Sequence, residues 1–206
     1  MRKIFALIFL LFLLLACSKP QQEPTPAEVK QNMENEIKKV LVVFFSKTGE
    51  NYGVGNIKIG NTHKVAMEIA RQTNGTLFEI KPVKPYPDGY KECVDVAKEE
   101  KTNNARPAIK GKVSNMADYN VIYLGYPNWW GDAPMPVYTF LESYDLTGKT
   151  IYPFATHEGS GMGHSEENLQ KALPRTEIKE GLAIYGHTAQ SDAPFVEKTV
   201  KNWLNK

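Results

Sequence analysis

Cysteine is nearly absent from this chain of 206 residues: only Cys17 and Cys93 occur. Two cysteines, one directly behind an apolar N-terminal run, supply no disulfide framework. Histidine is sparse as well. The 4 histidines, His63, His157, His164 and His187, stand apart without the spacing of a metal-ligand set. An excess of charge is missing too. Removing Arg2 and Lys3 from the 25 basic residues leaves 23, which matches the 23 acidic ones. Balance of this kind argues against nucleic acid as a partner, since that needs a basic patch. It also lacks the strong acidity of many small electron carriers. No Gly-x-Gly-x-x-Gly opens the first helix, and no Gly-Lys-Ser/Thr follows a strand. Nicotinamide binding by the fold and nucleotide hydrolysis are therefore unsupported. The elbow Gly-x-Ser-x-Gly is missing, so Ser160 is not read as a nucleophile. Nor is there an internal repeat.

One long hydrophobic run is present, at the start. Met1-Arg2-Lys3 precedes the apolar stretch Ile4–Leu15, which is short for a membrane span and suits a secretory signal. It ends in Leu14-Leu15-Ala16-Cys17, which resembles the lipobox of bacterial lipoproteins. That resemblance implies a signal peptide over residues 1–16, a lipid on Cys17, and an extracytoplasmic protein anchored in the bacterial cell envelope. An ordinary signal peptide with a chance cysteine is the alternative. Residues 17–37 are rich in Gln, Glu, Lys and Pro and read as a flexible tether. The folded domain is then 38–206. The hydrophobic share of 42% and charged share of 23% over the whole chain are those of a soluble globular protein.

That domain is organised around Lys39–Thr62. Val40-Leu41-Val42-Val43-Phe44-Phe45 is a continuous β-branched and aromatic run, as expected of a strand covered on both faces. Further strands are predicted over Thr76–Ile80, Asn120–Tyr126, Thr150–Ala155 and Ile178–Gly186. Helices are predicted over His63–Gln72, Asp88–Lys101, Pro134–Ser143 and His164–Leu173, with a last one opening at Asp192 or Ala193. Strand and helix alternate five times. The fold class expected is α/β, a doubly wound parallel sheet of five strands with helices on both faces. In such a sheet, ligands bind at the carboxyl ends of the strands.

Three of those ends carry unusual residues. The first strand runs into Ser46-Lys47-Thr48-Gly49 and resumes at Gly60-Asn61-Thr62, with hydroxyl and amide donors ahead of a helix. A helix start favours an anion, and Asn61 or Thr62 is expected as its cap. The third strand ends in Pro127-Asn128-Trp129-Trp130-Gly131. Adjacent tryptophans in a Gly/Pro-bracketed loop suit a stacked planar heterocycle, or else plug a gap beneath the loop. The fourth ends in Thr156-His157-Glu158-Gly159-Ser160-Gly161-Met162-Gly163, whose glycines allow bare N–H groups to face a ligand. Cys93 is read as a packing residue.

Taken together and in this order, the three loops resemble those of the flavodoxin family, over essentially the whole of 38–206. The resemblance implies FMN as cofactor and a strand order of 2-1-3-4-5. It also implies that Ser46, Lys47, Thr48, Gly49, Asn61 and Thr62 hold the phosphate. Pro127, Asn128, Trp129, Trp130 and Gly131 would flank one side of the isoalloxazine, with Thr156, His157, Gly159, Ser160, Gly161 and Gly163 on the other. The family runs Thr-Gly-Asn-Thr without a break. Here Glu50–Ile59 intervenes, and it is expected to loop out as a hairpin around Gly53, Gly55 and Asn56. The function implied is redox: electron transfer to a partner protein, or NAD(P)H-driven reduction of a small quinone-like acceptor, with His157 as a possible proton donor. The alternative is a non-catalytic ligand- or protein-binding lipoprotein.

Overall fold

The computed structural model describes residues 39–206, so Cys17, the leader and the tether lie outside the described residues. The first strand, β1 (Lys39–Phe44), shows why the domain has two cores. Leu41 and Val43 point into one apolar cluster, Val42 and Phe44 into another, the period-two alternation of a strand with both faces covered. Full burial of each such side chain contributes about 1.5–3 kcal/mol, before the entropy of ordering it.

After β1 come a short hairpin of β2 (Gly49–Asn51) and β3 (Gly55–Ile57), then helix α1 (Asn61–Thr73). The inserted segment thus loops out as the glycines suggest. β4 (Thr76–Glu79) returns to the sheet, and β5 (Lys81–Pro82) leads toward α2 (Tyr90–Thr102). β6 (Ile109–Lys110) pairs with β5, and β7 (Tyr119–Pro127) precedes α3 (Met135–Glu142). β8 (Thr150–His157), α4 (Ser165–Ala172), β9 (Glu177–Ile178), β10 (Leu182–Tyr185), α5 (Gly186–Ser191) and α6 (Ala193–Leu204) complete the chain. The main sheet is parallel, in the order β10-β8-β7-β1-β4. Counting its five principal strands along the chain gives 2-1-3-4-5. Helices α1 and α6 cover one face, while α3 supplies much of the core on the other.

Two local expectations fail. The fifth strand is broken: β9 and β10 both pair with β8 but are separated by Lys179–Gly181. Competing acceptors and donors draw this segment off the sheet. Gly181 N–H donates to the Glu166 carboxylate at 2.7 Å, and Glu180 O accepts from Trp203 Nε1 at 3.1 Å. The start of α1 is the second. Neither Asn61 nor Thr62 caps it. Gly60 occupies that place, and the Ser46 hydroxyl accepts from His63 N–H at 3.1 Å. A residue distant in sequence does the work of a local cap. In α6, by contrast, the expected Asp192 accepts from Phe195 N–H at 3.0 Å.

Candidate functional site

The carboxyl ends of β1, β7 and β8 surround a cavity of about 340 Å³, at the small end of the range for ligand pockets. It sits where the order of strands reverses, beside β1, as doubly wound sheets place their ligands. Lys47, Asn61, Pro127, Asn128, Trp129, Trp130, Thr156, His157 and Ser160, all singled out from the sequence, line it. Ser46, Thr48, Gly49, Thr62, Gly131, Gly159, Gly161 and Gly163 are not among the residues that line it.

At the β1 end the chain turns tightly. A Cβ on Gly60 would lie 2.2 Å from Ser46 Oγ and 2.5 Å from Lys47 O, so only glycine lets these two segments meet. Thr62 and Thr156 share a hydroxyl hydrogen bond of 2.8 Å that ties α1 to the end of β8. The first N–H groups of α1 are those a helix leaves without an internal partner. Lys47 does something different from what its position suggests. It is only 8% exposed, and its ammonium donates to the carbonyls of Thr48, Glu50 and Asp88 at 2.8–3.0 Å. It holds the loop in shape. Thr48 and Gly49 belong to that same turn, Gly49 with φ +78°.

The loops after β7 and β8 are joined to each other. Asn128 N–H donates to Thr156 O, Asn128 Nδ2 to Gly161 O, and His164 N–H to Gly131 O, all at 2.7–2.8 Å. A Cβ on Gly163 would stand 2.5 Å from Gly131 O, at a φ of +59°. Gly159 and Gly161 also have positive φ. The two tryptophans part company. Trp129 turns inward, edge-on to Phe45 at 5.4 Å and to Tyr86 at 5.0 Å, filling the space beneath its loop as well as lining the cavity. Trp130 is 50% exposed with φ +56°, an uncommon backbone for a bulky residue. The Tyr86 hydroxyl behind Trp129 donates to Glu100.

Charge is distributed unevenly. Asp132 turns away into the core, accepting from Ala133 N–H, the Tyr138 hydroxyl and Asn168 Nδ2 at 2.7–2.8 Å. Glu158 does line the cavity; His187 N–H donates to it at 2.8 Å and His187 Nδ1 lies 2.6 Å from it. His157 Nδ1 accepts from Gly159 N–H at 2.9 Å, which places the proton of the neutral ring on Nε2. Burial pushes the His157 imidazole below its ordinary value; the Glu158 carboxylate opposes that shift and His187 adds to it. His63 packs its ring on Phe44 at 4.7 Å. Among the described residues, no three His, Cys, Asp or Glu side chains gather as a metal site, and no helix is long and apolar enough to cross a membrane.

Residues 39–206 match the sequence profile described as flavodoxin. The chain belongs to the flavodoxin family. Two solved structures agree with that membership. A candidate flavoprotein of Bacteroides eggerthii DSM 20697 is 34% identical with a TM-score of 0.63, over 81% of this chain and 96% of that one. Another from Bacteroides uniformis ATCC 8492 is 32% identical with a TM-score of 0.67, over 82% and 99%. A Lactobacillus acidophilus NCFM flavoprotein solved in complex with FMN is 21% identical, over 73% and 95%, with a TM-score of 0.58. At that identity the likeness is one of fold. No curated protein matches the chain.

The sequence reading missed one wall of this flavodoxin-family cavity. Asn51 and Tyr52 from the hairpin, and Tyr90, Cys93, Val94 and Ala97 from α2, also line it. The α2 residues carry a signal, the spacing i, i+3, i+4, i+7 of one helical face. Nothing local marks that face as lining a cavity rather than the core. Cys93 is buried, and burial pushes its thiol up to about 11, against the opposing pull of Lys47.

Proposed function

We propose that this chain binds FMN in the cavity at the carboxyl ends of β1, β7 and β8 and acts as a redox protein. One observation carries the reading: a single cavity gathers the phosphate-loop turn, the Trp129–Trp130 loop and the Thr156–Gly163 loop in a chain of the flavodoxin family. The residues present fit the cofactor. Asn128 Oδ1 is buried without a hydrogen-bond donor, an acceptor of the kind an N–H on a heterocyclic ring satisfies. The start of α1, with Asn61 lining the cavity, offers donors and a helix dipole to a phosphate, and Trp129 and Trp130 offer aromatic surface to a ring.

When bound, FMN supplies the electron chemistry. The protein positions it and sets its surroundings. Trp129 and the α2 face exclude water from one side. Glu158 places a carboxylate at the cavity, which opposes extra negative charge on a ligand there. His157, held with Nε2–H free, offers a hydrogen bond or a proton to a ligand or acceptor. The acceptor is proposed to be a small quinone-like molecule or a partner protein. Purified protein, or apoprotein mixed with FMN, is expected to show the absorbance bands of oxidised flavin. A colourless protein that does not take up FMN at micromolar concentration would overturn the reading. Turnover of NAD(P)H with a quinone then separates an enzyme from a carrier. We further propose that Cys17 carries a lipid that anchors the domain outside the cytoplasm; fatty-acid labelling that survives Cys17→Ser would refute this.

A further inference from the structure

The wall missed from sequence has a shape of its own. On α2, Tyr90, Cys93, Val94 and Ala97 form an apolar ledge along the cavity. Tyr52 from the hairpin meets Tyr90 at one end, with ring centroids 5.8 Å apart. At the other end Lys98 lies over the Trp130 ring at 5.4 Å, and Lys101 Nζ donates to Trp130 O at 2.6 Å. Tyr90 and Lys98 are eight residues apart, about 12 Å along the helix axis. The ledge therefore matches the length of a fused three-ring heterocycle, with an aromatic side chain at each end.

The hairpin that supplies Tyr52 is tied to α2 at its base and reaches the β8 loop at its tip. Toward α2, Glu50 N–H donates to Asp88 O at 2.9 Å and the Glu50 carboxylate accepts from Tyr90 N–H at 2.9 Å. Lys47 clasps Glu50 O and Asp88 O together. Toward β8, the hairpin tip abuts Glu158: a Cβ on Gly53 would lie 2.9 Å from the Glu158 carboxyl carbon. Tyr52 is nevertheless 64% exposed. As a lining residue of the cavity on a hairpin tied to α2, Tyr52 has open aromatic surface to offer a bound ring.

We propose that the Gly49–Ile57 hairpin and the α2 ledge form a further binding element for the flavin ring, with Tyr52 as the residue that slows its release. This rests on the FMN reading above. Binding to the full chain is measured by quenching of FMN fluorescence, with dissociation followed after dilution. Loss of one aromatic contact predicts that Tyr52→Ala weakens FMN binding about three- to tenfold, mainly through faster release, while Tyr52→Phe stays near wild type. Phe195→Ala, an aromatic 49% exposed at the start of α6, is expected to change nothing. Ala97→Leu narrows the ledge and is expected to weaken FMN while the melting temperature of the apoprotein holds. If Tyr52→Ala and Ala97→Leu both bind FMN as tightly as wild type, the inference fails and the FMN reading stands. If the wild-type chain itself does not bind FMN, the FMN reading fails first.

Discussion

His157 and the glycines of the β8 loop show how single residues are governed by their surroundings. Burial favours the neutral imidazole, so the folded protein binds a proton at lower pH than the unfolded chain does. Its stabilising effect is complete above the ordinary histidine pKa of about 6.5. It is lost as pH falls through that value and on through the depressed one. An NMR titration is expected to give His157 a midpoint below 6.5, and His157→Asn to flatten the loss of stability in acid. Gly161 and Gly163 offer a matched pair. Both have φ near +60°, but a Cβ on Gly161 meets nothing within 4 Å while one on Gly163 meets Gly131 O. Gly161→Ala is expected to cost about 1–2 kcal/mol for the left-handed backbone. Gly163→Ala should cost clearly more, since the loops after β7 and β8 must then separate. Equal losses in denaturant melts would show that Gly163 does not make this close approach.

Among the elements, the β1–α1 connection is held by groups far apart in sequence. Lys47→Met would leave three carbonyls without their cationic donor. The expected loss is roughly 1.5–3 kcal/mol, typical of hydrogen bonds to a charged group. It should appear in thermal unfolding whether or not a ligand is present. Removal of a mere surface lysine would change stability little, so an unchanged melt would refute the clasp. Helix α6, capped locally, is the contrast: Asp192→Ala is expected to cost about 1 kcal/mol. The two helix starts also explain what could be read in advance. Asp192 lies next to the helix it caps. Ser46, which serves α1, lies across an inserted hairpin and is placed only by the fold. The break between β9 and β10 was hidden for a similar reason, since Glu166 and Trp203 reach it from other helices.

For the whole molecule, binding and folding are linked. A ligand that binds only the native state at a hundred times its dissociation constant adds about 2.7 kcal/mol of stability. Free FMN at that excess is expected to raise the melting temperature of the apoprotein by several degrees, and no rise would count against the cavity as its site. The parallel sheet was legible because strand and helix alternate along the chain, whereas the order of its strands followed only from the resemblance of three loops to the flavodoxin family. The three loops were legible because their glycines, tryptophans and hydroxyls are unusual where they stand. Sequence alone thus determined the parallel sheet and which loops lie at its carboxyl edge. Tertiary structure alone decided that Lys47 turns to carbonyls, that Trp129 packs inward while Trp130 does not, and that α2 and Tyr52 line the cavity. The reason is physical: strand and helix patterns arise from periodicity within a short stretch of chain. Where a side chain points is settled by partners tens of residues away, which a local pattern does not contain.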